Sequence, residues 1–321
     1  MKLATADRRR AEAFLLEQAR PLERALFRFY FRGGPASAVL SELAQFQNHD
    51  GGFGQALEPD FRLAASSALA TSVALQIMRE LPLDAHSPLV QGAMSYLLAT
   101  YDPDLEAWPI IPPHDNTEPH APWWLYDRDL ARRWGGFKAN PTAELVGYFY
   151  DYAGLVPAEL RRHLSQATEE HLERSADTLE MHDILCFVRL AESDSLPEAL
   201  RARLVDRLVP AIDRAVARDP AEWMGYGLQP LAVAGSPRSP FLALLGESVA
   251  ANLDFLIGQQ EMDGTWTPNW SWGDQFPDVW PQARQDWTGV LTLRALRQLQ
   301  AFDRLDQPGT DQSAGFAQEE N

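Results

Sequence analysis

Gln47-Asn48-His49-Asp50-Gly51-Gly52-Phe53-Gly54 is the stretch on which the reading of the fold turns. It recurs as Gln260-Glu261-Met262-Asp263-Gly264-Thr265-Trp266, and both copies read Gln-x-x-Asp-Gly-x-aromatic. Their glycines permit positive φ and a tight reversal, while Gln and Asp can bond the backbone groups that the reversal frees. Each copy follows a helix-like apolar segment and is followed, after a loop, by another. Such a repeat about 210 residues apart predicts a stacked or circular array of similar units.

Working outward, apolar residues recur at helical steps almost throughout. Residues 6–31 read as one helix through Leu15, Leu16, Leu22, Leu26 and Phe29, ended by Gly33-Gly34-Pro35. The next helix, about 36–47, has Ser37 as its cap and leads into the first loop. A small-residue helix over about 64–81 follows, with Ala68, Ala70, Thr71, Ser72 and Ala74. It suits an inner position, packed on most sides with one side facing a cavity. Tyr101 to Trp108 reads as a degenerate copy of the loop after a helix at 87–100. A Pro- and Trp-rich insertion spans 109–139, and an unstructured stretch of that length inside a compact protein is usually functional. Further helices are expected from about 140, then at 157–176, 178–192, 197–217, 221–235, 239–260 and 282–300. No run shows the alternation of a strand. The prediction is an all-α chain of about eleven helices in a single domain, 1–303, with a polar, disordered tail over 304–321. At about 40 residues per helical hairpin, the two loop copies lie about five steps apart. They become neighbours if five or six hairpins close into an α/α toroid with inner and outer helix rings.

Bulk composition narrows the function. Twenty-eight Lys and Arg against 45 Asp and Glu leave a net charge of −17, which argues against a nucleic-acid partner. It also argues against docking on anionic lipid. No run approaches the ~18 apolar residues of a spanning helix, so no membrane span is expected. The charged start, Met1 to Arg10, has no signal-peptide core, and a cytoplasmic location is expected. A lone cysteine, Cys186, permits no intramolecular disulfide and no Cys-x-x-Cys metal site.

The paired Gln-x-x-Asp-Gly-x-Phe/Trp loops resemble the glutamine–tryptophan repeats of the terpenoid cyclase and protein prenyltransferase superfamily. The resemblance covers roughly residues 35–300. It implies an α/α toroid whose central cavity holds an isoprenoid, with the repeat Gln and aromatic tying outer to inner helices. Ala44 to Ile77, and Gly54 to Arg62 above all, also resemble a bacterial group within that superfamily to which no established activity attaches. Three signatures of the superfamily's enzymes are missing. There is no Asp-x-Asp-Asp acid motif (the nearest acidic cluster is Asp102-Pro103-Asp104-Leu105-Glu106) and no Asp-Asp-x-x-Asp magnesium motif. The zinc set of the prenyltransferases is not matched, since Asp183 and Cys186 are wrongly spaced and no His follows His182. Neither a metal nor a cofactor is therefore expected.

The residues leave several places for chemistry. Glu58, Asp60 and Arg62 precede the small-residue helix and can supply an acid, a base and a guanidinium, or simply a helix-start cap. His182 and Asp183 interrupt an otherwise apolar helix and must find partners or a polar cavity. Glu144, Glu222 and Asp286 each fall near an expected inner-helix start, where they would ring the same mouth. Trp123, Trp124, Tyr126, Trp223, Tyr226, Trp270, Trp272 and Trp287 can stabilise a cation or stack on a sugar. His114, Asp115 and His120 are a weaker, metal-like group. The leading expectation is an enzyme acting on an isoprenoid or other apolar small molecule in a deep, largely apolar cavity. Carbohydrate chemistry at a Trp-lined acidic groove, and a non-enzymatic binding scaffold, are the alternatives. The oligomeric state is left open.

Overall fold

The computed structural model describes residues 1–127 and 138–306. Among them the only regular elements are helices: α1 (Thr5–Glu17), α2 (Pro21–Arg32), α3 (Ala36–Leu43), α4 (Ala68–Arg79), α5 (Pro88–Thr100), α6 (Ala139–Asp151), α7 (Ala158–Ser175), α8 (Met181–Ala191), α9 (Glu198–Ala215), α10 (Pro230–Val233), α11 (Leu242–Gly258) and α12 (Trp280–Ala301). Extended pairing is confined to isolated bridges. The fold is all-α, as the periodicity predicts.

Three boundaries differ from expectation for local reasons. The helix expected over 6–31 is two helices, because Pro21 has no N–H to donate and holds Arg20 extended at ψ 154°. Ser37 does not cap α3, which starts after an extended Pro35 without a side-chain cap. The small-residue helix starts at Ala68, where the Ser67 side chain accepts from Ala70 N, and Ala64 and Ala65 lie in an exposed loop before it. The helix expected over 221–235 shrinks to the four residues of α10. Gly225 and Gly227 favour a loop there, and Asp219 to Trp223 forms another degenerate copy of the repeat. Asp219 Oδ1 accepts from Ala221 N, and the Trp223 indole donates to Ala217 O at 2.7 Å. Residues 304–306, assigned to the tail from composition, are held: Leu3 N donates to Arg304 O at 2.7 Å and Asp306 N to Leu3 O at 3.0 Å. The rest of the expected tail, 307–321, and residues 128–137 of the insertion lie outside the described residues.

Packing runs in a cycle. Each even-numbered helix packs on the odd-numbered helix after it: α2 on α3, α4 on α5, α6 on α7, α8 on α9, α10 on α11, and α12 on α1. Even helices also pack on one another, α4 on α6, α6 on α8, α8 on α10, and α12 on α2. Polar links join the two remaining neighbours. Tyr30 Oη donates to Glu80 at the end of α4, and Gln298 Nε2 of α12 donates to Leu231 O of α10 at 3.0 Å.

The repeat loops explain why the cycle returns to its start. Gln47 Nε2 donates to Gly51 O of its own loop at 2.9 Å and to Leu89 O of α5 at 3.0 Å. Gln260 Nε2 donates to Gly264 O at 2.9 Å and to Asp7 O of α1 at 3.1 Å. The aromatic residue that ends each motif donates its N–H to a threonine of the following even helix, Phe53 to Thr71 of α4 at 3.0 Å and Trp266 to Thr292 of α12 at 3.1 Å. After the second loop, α1 thus takes the place that α5 takes after the first. The third copy shares another bond with the second: the Trp108 indole donates to Leu97 O at 2.7 Å, as the Trp266 indole does to Leu256 O at 2.7 Å.

Candidate functional site

Between the first loop and α4, the chain turns through Gln55 and Ala56, both at positive φ (57° and 62°). Consecutive left-handed non-glycine residues are strained and persist only where their surroundings hold them. Arg20 does so, donating from Nη1 to Ala56 O at 3.0 Å while its Nη2 pairs with Glu23 at 2.6 Å. The turn delivers Glu58 and Asp60 inward, 8% and 3% exposed.

Asp60 is held by the other repeat. The Trp272 indole donates to Oδ1 at 2.7 Å and the Trp270 indole to Oδ2 at 3.1 Å. Burial pushes the Asp60 carboxyl up, and these indole bonds oppose that by favouring its charged form. Glu58 is relieved less: the Phe61 and Asp60 backbone N–H groups and the Arg20 charge favour its charged form without cancelling its burial. Burial first, and the neighbouring Asp60 charge second, push it to about 8, and its Oε2 has no hydrogen-bond partner among the described residues. At neutral pH the pair divides: Glu58 keeps a proton and Asp60 is an oriented acceptor.

An aromatic wall adjoins them. Trp270 packs edge-on to Trp287 of α12, centroids 5.2 Å apart, and to Tyr226, 6.1 Å apart. Tyr226 Oη bonds His182 Nε2 of α8 at 3.0 Å, and burial holds that imidazole below its ordinary value, hence neutral. Arg62 closes the group by donating to Asp286 at 2.7 Å, and Gln282 donates to the other Asp286 oxygen at 2.8 Å.

The structure therefore gathers Glu58, Asp60, Arg62, His182, Tyr226, Trp270, Trp272, Asp286 and Trp287. Within this set Arg62 and Asp286 are matched to each other, and Trp272, 1% exposed, orients Asp60 instead of facing a ligand. The remaining candidates lie elsewhere. Glu144 does not ring this end of α6; it is 1% exposed and bonded to Arg189 at 2.5 Å and Gln76 at 3.0 Å. Glu222 is exposed in a short turn, because the helix expected there is a loop. Trp223 is buried as the repeat aromatic. Asp183 sits in the first turn of α8 beside the Asn140 backbone, with burial raising its carboxyl to about 6. In the insertion, Trp124 packs on Phe61 with centroids 6.2 Å apart, and Asn116 pins both backbone groups of Tyr126. Trp123 is exposed, and this segment roofs the first loop through the Arg62 N to Pro119 O and Ala121 N to Asp60 O bonds. His114 and His120 have both ring nitrogens engaged within the protein, which accounts for them as loop clasps. Arg20 is the residue that sequence reasoning missed. Besides Glu23, its acceptors are Ala56 O and Leu57 O, 36 and 37 positions away, and no local signal joins it to them.

On the even helices Val73 of α4, Leu185 of α8 and Leu291 of α12 are partly buried apolar residues, and Gln76, Arg189 and Arg294 follow about one turn further along the same helices. A surface groove between α7 and α9, lined by Arg161, Ser165, Glu169 and Arg203, is separate from this cluster, and Arg203 and Glu169 pair within it at 2.7 Å.

No family model and no curated protein matches this chain, so the functional reading rests on the site itself.

Proposed function

We propose that the cyclic packing is an α/α toroid and that the Glu58–Asp60 cluster is an acid–base site at its mouth, acting on a small molecule with an apolar body. The observation that carries this is the pairing of a buried Glu58, whose Oε2 has no partner among the described residues, with a carboxylate fixed by two indoles. An acid near pKa 8 stays protonated at neutral pH yet gives up its proton in a single well-placed step. Glu58 would protonate the ligand, and the faces of Trp270, Trp287 and Tyr226 would stabilise the positive charge that results. Asp60 would orient the cation or take a proton back. Val73, Leu185 and Leu291, partly buried on α4, α8 and α12, would supply apolar contacts to an isoprenoid-like body, in keeping with the resemblance of the repeats.

A second reading, carbohydrate chemistry, is favoured by one feature. The aromatic wall stands directly beside two carboxyl groups, the arrangement glycan-active sites use. A thermal-shift screen with prenyl diphosphates, squalene-like lipids and oligosaccharides separates the readings, followed by product analysis on any ligand that stabilises the protein. Stabilisation by an apolar ligand, with turnover abolished in Glu58→Gln but binding kept, is the expected result. Stabilisation by oligosaccharides alone would move the assignment to the second reading. Binding without turnover in the native protein would leave a non-enzymatic scaffold.

A further inference from the structure

The groove between α7 and α9 shares no residue with the Glu58 cluster and carries the opposite charge to the chain as a whole. It encloses about 410 Å³, within the size range of small-molecule sites. On α7, Ala158, Arg161, Ser165 and Glu169 recur at three- and four-residue steps and so share the face that lines it, with Arg162 beside them. From α9 come Ala199, Leu200 and Arg203, and from α6 Tyr150. Three arginines stand there against one glutamate, in a chain of net charge −17.

Most polar groups of the groove are spent on the protein itself. Arg203 forks onto Glu169 at 2.7 and 3.0 Å and gives a further bond to Ala199 O at 3.1 Å. Arg207 stands 3.6 Å from the same glutamate, so that carboxylate is countered twice. Ser165 Oγ donates its one proton to Arg161 O at 2.7 Å. The 2.9 Å contact between Ser165 and Tyr150 is then a donation from Tyr150 Oη, which spends that proton too. Gln166 donates to Glu170 at 2.9 Å.

Arg161 and Arg162 differ from these. Arg161 is fixed without being neutralised. Its Nη1 donates to Ala153 O at 3.1 Å, and its guanidinium lies over the Tyr150 ring, 5.3 Å from the centroid. It has no ion pair among the described residues, and its other N–H groups have no acceptor among them. Arg162 meets only Glu159, at 3.5 Å and with both side chains mostly exposed, a pairing worth little. The groove therefore presents two guanidiniums with open donors, one of them already held in place. Holding a donor beforehand lowers the ordering cost of binding.

We propose that this groove binds a small phosphate monoester, with its phosphate on Arg161 and Arg162 and its organic body against Pro197 and Leu200. Two guanidiniums match the nearly two negative charges of such a phosphate at neutral pH, and their planar forks match its oxygens. Pro197 and Leu200 supply apolar surface within the same groove. A nucleic-acid strand does not fit, because the acidic remainder of the chain would repel its backbone. This site stands independently of the function proposed for Glu58.

The test titrates the full chain calorimetrically, in buffer free of phosphate and sulfate, with phenyl phosphate and, separately, with benzoate. Phenyl phosphate should bind one-to-one, and benzoate, with a single charge, at least tenfold more weakly. Loss of one charge-assisted contact in Arg161→Gln should weaken phenyl phosphate binding at least tenfold. Arg161→Lys, which keeps the charge but not the fork, should fall between. Ala199→Glu puts a carboxylate into the groove at an exposed position in the first turn of α9, where an acidic residue suits the helix. It should melt as the native protein does and lose phenyl phosphate binding. Arg214→Gln, near the far end of α9 and outside the groove, should bind as the native protein does. Failure of phenyl phosphate to bind, or undiminished binding by Arg161→Gln and Ala199→Glu, overturns the proposal. Benzoate binding as tightly as phenyl phosphate overturns the assignment to a phosphate.

Discussion

The two repeat loops have nearly the same frame and opposite contents. Each uses its Gln to clasp its own glycine carbonyl and a helix beyond, its Asp to accept from the residue two positions on, and its final aromatic N–H to reach a threonine. The segments leaving the two loops share nothing. The first loop leads into Glu58, Asp60 and Arg62; the second leads into Trp270 and Trp272, whose indoles close on Asp60. The recurring residues build the frame, and the chemistry lies in the residues that do not recur. It takes both loops to make one site, because the acid of one is positioned by the aromatics of the other.

The comparison breaks first at the glycines if it is wrong. Gly51 and Gly264 have φ of 85° and 92°, and a Cβ would collide with the Gly92 backbone of α5 at one and with Arg10 and Ala11 of α1 at the other. Gly51→Ala and Gly264→Ala should each cost about 3 kcal/mol or more in denaturant unfolding. Unequal losses would mean that the loops are not equivalent frames. Removing the shared acceptor comes next. Asp60→Ala leaves one buried and one partly buried indole N–H without an acceptor and should cost about 2–4 kcal/mol. It should also lower the Glu58 pKa, since the Asp60 charge is one of the causes that raise it. Gln47→Ala and Gln260→Ala each lose two hydrogen bonds, so about 2 kcal/mol apiece is expected from the same unfolding experiment. The smallest effect should come from Trp272→Phe, about 1 kcal/mol, with the Asp60 carboxyl shifted further upward as one of its anion-stabilising bonds disappears.

The frame was legible in the sequence because it is written locally. Gln, Asp, Gly and an aromatic at fixed offsets specify a turn, and helical periodicity specifies what the turn connects. Local writing also explains the errors. Pro21 splits a continuous apolar pattern, and the 219–223 copy, lacking Gln and Gly, reads as helix. The site was legible only in part. Glu58, Asp60 and the tryptophans stood out as residue types, but the Asp60–Trp272 bond spans 212 positions and depends on how the ends of the chain meet. Arg20 was invisible for another reason. An arginine beside an amphipathic helix reads as solvated, and only the surrounding packing reveals this one as a clamp on strained backbone.

The central claim is that Glu58 is a buried, neutral acid in the folded protein. Its proton is bound more tightly folded than unfolded, so its stabilising contribution is fully present below the ordinary carboxylate range and is lost as pH rises towards 8. Glu58→Gln should therefore match the native protein in stability near pH 4 and exceed it increasingly up to about pH 8. The most direct measurement is a carboxyl-carbon NMR titration of the native protein against Glu58→Gln. One resonance, absent from the variant, should titrate with a midpoint near 8; a midpoint in the ordinary carboxylate range, about 4–5, would contradict the account.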